Sequence, residues 1–546
     1  MLNITPSRNA DAARDYFARS LSPGDYYAEN GGVPSVWLGK GAERLGLHGE
    51  EVTGDVFGWL VHNSHSFTGD RLTQRNRANR LPGYDFTFHA PKSVSVAESM
   101  GDASIRTAFR DAVRETMGEI ELEMQTRVRK GGVHENRTTG NMLWAEFVHD
   151  TTRPVDGVPD PQLHCHCYAI NATFDEAENC WKAGKFRALK RDAPYYQARF
   201  LNNLAFKVQA LGYETQRTKS GFELVGVPDT AIKSFSRRSR LIDELADKYG
   251  IDDPRAKARI GQWSRESKGM RHTRDDLVGL WHDRMSEQER EAVFETMQRA
   301  AMRRDGSLMP VVPDEDPFST GAVAPSACLQ HAIEHCYERR SVVSEKQLAA
   351  RAIMFGIGRV PSDTINSMIA AGETPEGGRV FLSRQVDDQK LVTTHTVLEE
   401  ERRMLDLSAS TRGTCFGLGV KIAPGSVDNG WMYSIDDGEL SPEQYRAAER
   451  VLHNRDRVIA ISGGAGVGKT RLMREITRGA AYGGTTVFAF APNAQTVEDT
   501  LKKSGFDDAK TVSHLLTNER LQQKLRGQAI WVDEAGQLGA GTMRRL

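Results

Sequence analysis

The spacing of apolar residues along the chain changes period several times, and each change predicts an element. Residues 9–19 (NADAARDYFAR) place Ala12, Ala13, Tyr16 and Phe17 at helical spacing behind Asn9, which predicts a helix capped by Asn9. Tyr84-Asp85-Phe86-Thr87-Phe88 alternates and predicts a strand, after which Pro91 suits the first position of a helix predicted to run through Arg129. Asn141–His149 and Asp160–Phe174 are two further aromatic and aliphatic runs; the Thr, Pro, Asp and Gly of Asp150–Gln162 between them predict a hairpin connection. Tyr195–Leu211 has the period of an amphipathic helix.

The period of two gives the third run its chemistry. His164 and His166 share one face of the strand, while Leu163, Cys165 and Cys167 share the other. Antiparallel pairing across the hairpin sets His149 beside His164. Three neutral imidazoles from two neighbouring strands, with open positions left over, form a metal site able to hold a substrate oxygen. Cys165 and Cys167 point away from it and read as small apolar core residues. Asp85 is a candidate acceptor that fixes one histidine tautomer. Tyr16, Tyr26 and Tyr27 are phenols close together near the N-terminus.

Beyond residue 303 the organisation changes. Residues 304–327 are rich in Pro, Gly, Asp and Ser without periodicity and predict a linker. Residues 328–407 alternate short helical stretches with one strand, Gly378–Leu382, the pattern of a small helical, winged-helix-like module. In 408–546, Val458–Ser462 predicts a strand, followed by Gly463-Gly-Ala-Gly466-Val-Gly468-Lys469-Thr470 and a helix, which together satisfy the P-loop pattern. The glycines let backbone N–H groups wrap phosphates, Lys469 supplies a point charge and Thr470 ligates magnesium. Asp533 and Glu534 follow a second strand, in position to hold the metal and orient a water. Ser441 and Gln444 have capping-box spacing, and Gln444 is also placed to reach an adenine.

Composition narrows the function classes. With 546 residues, 27% charged and a formal net charge of −1, the chain is no global polycation, so any nucleic-acid surface is local. Local basic clusters exist: Arg75, Arg77 and Arg80 before the first strand, Lys185 and Arg187 after the histidines, then FSRRSR at 235–240. The last of these, with Arg255–Arg259 and Trp263 or Trp281 as stacking platforms, reads as a single-strand clamp. Six cysteines without paired spacing argue for a reducing compartment, and no apolar run reaches membrane length. The expectation is a cytoplasmic protein without membrane insertion.

Taken together, Tyr16 with Tyr26-Tyr27, Trp37-Leu-Gly-Lys-Gly-Ala, Asp85-Phe-Thr-Phe-His-Ala-Pro-Lys-Ser-Val-Ser and Glu146-Phe-Val-His149 leading to Pro161-Gln-Leu-His164-Cys-His166 resemble the MobF family of conjugative relaxase-helicases. The resemblance covers about the first 300 residues. It implies an α+β domain, an antiparallel sheet with helices of the HUH-type palm, over residues 1–303. The rest, with Gln444, the P-loop, Ala491-Pro492-Asn493 and Asp533-Glu534, resembles the first motor domain of a superfamily 1 helicase, a partial RecA-like α/β domain. The family implies that His149, His164 and His166 hold a divalent ion, magnesium or manganese, although imidazole softness favours zinc or nickel. It also implies that a tyrosine attacks the scissile phosphate of single-stranded plasmid transfer-origin DNA. By position Tyr16 matches the first nucleophile, and Tyr26 or Tyr27 the second. The family's first pair is usually two tyrosines; here it is Tyr16-Phe17. Accessory DNA-binding proteins and a type IV secretion coupling protein are the implied partners. Because the chain stops ten residues after Gly536, weak binding of ATP with magnesium at most and no unwinding are expected of it. Two rivals stand beside this reading: a rolling-circle initiator or transposase-like enzyme, with Tyr195 or Tyr196 as nucleophile, and a non-catalytic single-strand binding protein.

Overall fold

Five strands of the N-terminal half pair antiparallel in the order β1 (Leu2–Pro6), β3 (Gly83–His89), β7 (Pro161–Ile170), β6 (Trp144–Thr151) and β2 (Val36–Leu38). The computed structural model describes every residue except 1, 22–34, 75–78, 131, 252, 265–271, 310–322, 373–380, 423–429, 436–439 and 465. β7 lies in the middle, mostly buried along its length, and helices cover both of its faces. On one face Phe86, Phe88, Cys165 and Cys167 pack in one core with Phe109, Phe200 and Leu204. On the other, Ala145, Phe147, Tyr168 and Ile170 pack with Phe17 and Phe57. The first core is supplied by α3 (Lys92–Ser99), α4 (Ser104–Leu122) and α5 (Ala193–Ala210), the second by α1 (Ala10–Leu21) and α2 (Gly54–Val61). Glu146, buried on the α4 side, accepts from Arg110 Nη2 at 2.5 Å and Arg114 Nη2 at 2.8 Å, so charge pairing joins sheet and helix as well.

Asn9 caps α1 as predicted, its Oδ1 accepting from Ala12 N at 2.9 Å. The single helix predicted from Pro91 to Arg129 is instead α3 and α4, followed by a two-stranded ribbon of β4 (Gln125–Lys130) and β5 (Val133–Thr138). Gly101 stands at φ +125° between the helices, where only glycine is unstrained, and Asp102 caps the restart through Ser104 N at 3.1 Å. The alternation of the ribbon was hidden by its many polar residues.

The chain divides into two units, one of Met1–Ala332 and Glu345–Gly378, the other of Ile333–Ser344 and Arg379–Leu546. The stretch 328–407, expected as one module, is therefore shared. Glu345–Phe355 and Ser362–Ala371 are helices of the first unit and lie on α5. There the fully buried Asn202 donates to Val360 O at 3.0 Å and Ser362 Oγ at 2.8 Å and accepts from Gly358 N at 2.8 Å. Asn202→Ala strips all three bonds and is expected to lower the unfolding free energy by about 2–3 kcal/mol in urea titration. The two strands Phe381–Val386 and Gln389–Thr394 belong to the second unit; the first replaces the strand expected at 378–382, of which 378–380 lie outside the described residues.

In the second unit Val487–Ala491 pairs parallel with Lys510–Thr511 and with Ala529–Val532, the α/β arrangement expected for a P-loop domain. Val458–Ser462 is not a strand: Ile459 and Ile461 reach the core of Leu452, Leu472 and Ile476 without joining a ladder. The β-branched run is only partly buried: Ile459 and Ile461 are half-buried, and Val458 is exposed. No helix among the described residues is long and apolar enough to cross a membrane.

Candidate metal centre

Register brings the three histidines together. His164 on β7 sits directly opposite His149 on β6, and His166 opposite Phe147 of the same strand. Since residues two apart share a face, all three rings emerge on the α1–α2 side. Ring centroids are 5.1 Å apart for His149 and His164, 5.3 Å for His149 and His166, and 5.2 Å for His164 and His166. One nitrogen from each lies within 4.8 Å of the others. A cation at about 2.1 Å from each nitrogen needs separations no wider than about 4.2 Å, a closure that small ring rotations supply.

Tautomers at two of the rings are set from behind. His164 Nδ1 lies 2.9 Å from Gln162 O, a carbonyl that can only accept, and His166 Nδ1 lies 2.8 Å from Asp85 Oδ2. With the Nδ1 proton held in each case, the Nε2 lone pair is left for a cation. Burial, and after it His166, holds His164 down to about 3, opposed by the Gln162 carbonyl, so at neutral pH protons do not compete for this ligand. The donor set is thus three imidazoles with neutral His164, a fit for a divalent ion.

Asp85 does more than face His166. Thr87 Oγ1 donates to its Oδ2 at 3.2 Å, while its Oδ1 is buried without a hydrogen-bond partner among the described residues. Thr87 and His89 were missed in the sequence, although alternation from Asp85 puts both on its face. His89 stands opposite His164 with rings 5.4 Å apart and nearly parallel, and is kept neutral chiefly by burial and then by His164. Over this floor lies α1. Phe17 packs on Phe147 and Tyr168 and meets the His166 ring edge-on at 6.0 Å. Its chain neighbour Tyr16 belongs to the same helix. The Tyr16 side chain, and Tyr26 and Tyr27 entirely, lie outside the described residues, as do Arg75 and Arg77.

A family model for the TrwC relaxase matches residues 10–288, just over half of the chain. The chain belongs to the TrwC relaxase family. A second model, described as an AAA domain, matches residues 439–546 of this relaxase. Two Escherichia coli multifunctional conjugation proteins TraI, one from strain K12, are 35% and 34% identical to it over 258 residues, 45% of the chain. That match spans only 14% of each TraI protein. Solved structures of the conjugative relaxase TrwC with oriT DNA, one metal-bound and one copper-bound, are 30% and 32% identical, with a TM-score of 0.48 each. They cover 54% and 53% of this chain and 98% of the TrwC chains.

Other residues singled out in the sequence fall elsewhere in the relaxase. Arg80 donates to Val61 O at 3.3 Å and Asn171 O at 3.2 Å, a brace inside the fold. Lys185 is half-buried and Arg187 exposed. Of the basic stretch read as a clamp, Arg237 is paired with Asp160 and Arg238 donates to the carbonyls of Ser264 and Gly261. Trp281, read as a stacking platform, is buried with Nε1 on Pro159 O at 2.8 Å, whereas Trp263 is exposed. Tyr195 and Tyr196, the rival nucleophiles, sit on α5 against the opposite face of the sheet. Tyr196 is buried, donates to Glu123 at 2.8 Å, and is pushed far above the phenol range by burial and then by Glu123.

At the P-loop, Gly466 and Gly468 stand at φ +78° and +84°, and Lys469 opens the helix Lys469–Tyr482. Lys469 Nζ donates to Gly463 O at 3.2 Å and lies 3.9 Å from Glu534 Oε1. Gln444 completes its capping box with Ser441, and its Nε2 donates to Val467 O at 2.8 Å, so it buttresses the loop.

Proposed function

We propose that this relaxase is a metal-dependent DNA strand transferase that nicks one strand at a plasmid transfer origin, with Tyr16 as first nucleophile and Tyr26 or Tyr27 in a second transfer. The observation that carries the reading is the meeting of three imidazoles, Asp85 and the helix of Tyr16 on one patch of the sheet. A divalent ion held by His149, His164 and His166 supplies withdrawal of charge from the phosphoryl oxygens of the scissile linkage. The phenol oxygen attacks phosphorus as its proton passes to Asp85, whose Oδ1 carries no hydrogen bond among the described residues. A P–O bond to tyrosine forms, the P–O3′ bond breaks, and the 3′ oxygen leaves with a proton as a hydroxyl. One phosphodiester replaces another, so rejoining needs no ATP.

Within the same reading, Lys185, Arg187, Arg75 and Arg77 contact the DNA backbone, which positions the strand without reading its sequence. Gly463, Gly466, Gly468, Lys469 and Thr470 with Asp533 and Glu534 bind ATP and magnesium. Magnesium or manganese is the working metal, in the cytoplasm, with accessory DNA-binding proteins and a secretion coupling protein as partners.

Incubation with single-stranded transfer-origin DNA and Mn2+ is expected to give a covalent protein–DNA species, visible as a shifted band after denaturation and absent with chelator. No such species with any divalent metal contradicts the proposal. Asp85→Asn keeps the shape of the side chain but loses a base and reverses a hydrogen bond to His166; adduct formation is expected to slow by about 10²-fold or more in single-turnover kinetics.

A further inference from the structure

The strands that carry the metal ligands lose their regular pairing right beside them. His149 pairs with His164, but the next pair is Thr151 with Pro161, so one residue of one strand, Asp150, faces two of the other, Gln162 and Leu163. Such a bulge loosens the ladder, and the register has to be held by something else. Asp150, next to His149, and Asp160, at the far end of the connection, are both tied to arginines.

The ties share a source. The helix α6 (Arg274–Arg284), more than a hundred residues downstream, lies along the connection and touches it at three points. Arg274 Nη1 donates to Asp150 Oδ2 at 2.9 Å, Trp281 Nε1 to Pro159 O at 2.8 Å, and Arg284 Nη1 to Asp160 Oδ1 at 2.6 Å. Each carboxylate has a second arginine from another element: Arg106 of α4 on Asp150 at 3.1 Å, and Arg237 on Asp160 at 2.9 Å. Asp160 is almost fully buried, so this pairing is screened little by water.

Resting on the three-histidine reading above, we propose that α6 is a splint for the metal hairpin: Arg274, Trp281 and Arg284 are positioning residues that hold His149 against His164 and thereby set the affinity for the ion. Trp281, first read as a stacking platform for a single strand, is spent on the hairpin instead. Outer groups that orient metal ligands tune affinity even though they never touch the metal.

The double variant Arg274→Ala/Arg284→Ala tests this, because Arg106 still pairs with Asp150 and with the buried Glu98, which Arg274 also contacts, and Arg237 still pairs with Asp160. Metal-stripped full chain is titrated with Mn2+ by calorimetry, and the binding of a fluorescein-labelled single-stranded oligonucleotide of mixed sequence is followed in chelator. Mn2+ affinity is expected to fall about tenfold or more, with oligonucleotide affinity within about twofold of wild type, since most DNA contacts are made to the backbone elsewhere. Covalent adduct formation should return at saturating Mn2+. Unchanged Mn2+ affinity overturns the splint and leaves the histidine site standing. Wild-type protein that takes up no Mn2+ overturns the site itself. Should the double variant not fold, Trp281→Phe, which keeps an aromatic ring in the core but removes the bond to Pro159 O, is held to the same two outcomes for Mn2+ affinity.

Discussion

Tyr16→Phe is expected to abolish the covalent DNA adduct, a loss of about 10⁴-fold or more in rate, the scale on which removing a covalent nucleophile acts in other enzymes. The substitution deletes one oxygen from a helix whose docking depends on another residue, Phe17, packed among Phe57, Phe147, His166 and Tyr168. Fold and DNA affinity should therefore be unchanged, which melting and oligonucleotide binding check. Phe17 has no hydroxyl to substitute. Adduct of undiminished yield in Tyr16→Phe, traced by peptide mapping to Tyr26, Tyr27, Tyr195 or Tyr196, removes Tyr16 as first nucleophile. Mapping to Tyr195 would be the most damaging, since that residue packs from the other side of the sheet.

His164→Ala is expected to cost about 10³-fold in cleavage, the several kcal/mol that a Lewis acid contributes to a phosphoryl transfer. DNA affinity in chelator should stay within about threefold of wild type, because phosphate contacts lie elsewhere. The variant also leaves Gln162 O without its donor, at a folding cost of about 1–3 kcal/mol. Melting in chelator separates the two effects. Parallel loss of cleavage and DNA binding would assign the histidine a structural role.

Much of the site is legible in the sequence, and the reason is periodicity. A period of two put His164 and His166 on one face and the cysteines on the other, and one hairpin fixed His149 opposite His164. Asp85 as the partner of a histidine tautomer followed from the same alternation. What could not be read came from distant pairings. The basic stretch at 235–240 looked like a nucleic-acid surface because nothing local reveals that Arg237 meets Asp160 across scores of residues. Trp281 is buried for the same reason. The long helix from Pro91 failed at Gly101, a breaker whose weight depends on the sharp return that α4 makes over the sheet. Helices 345–355 and 362–371 read as a separate module because their apolar faces match α5, a partner invisible in their own spacing.

The most direct measurement is calorimetric titration of metal-stripped protein with Mn2+, wild type beside His149→Ala and His166→Ala. One ion per chain, held by the wild type and lost in both variants, is the predicted result. Uptake that is absent in the wild type, or that survives both substitutions, would contradict a metal centre built from these three rings.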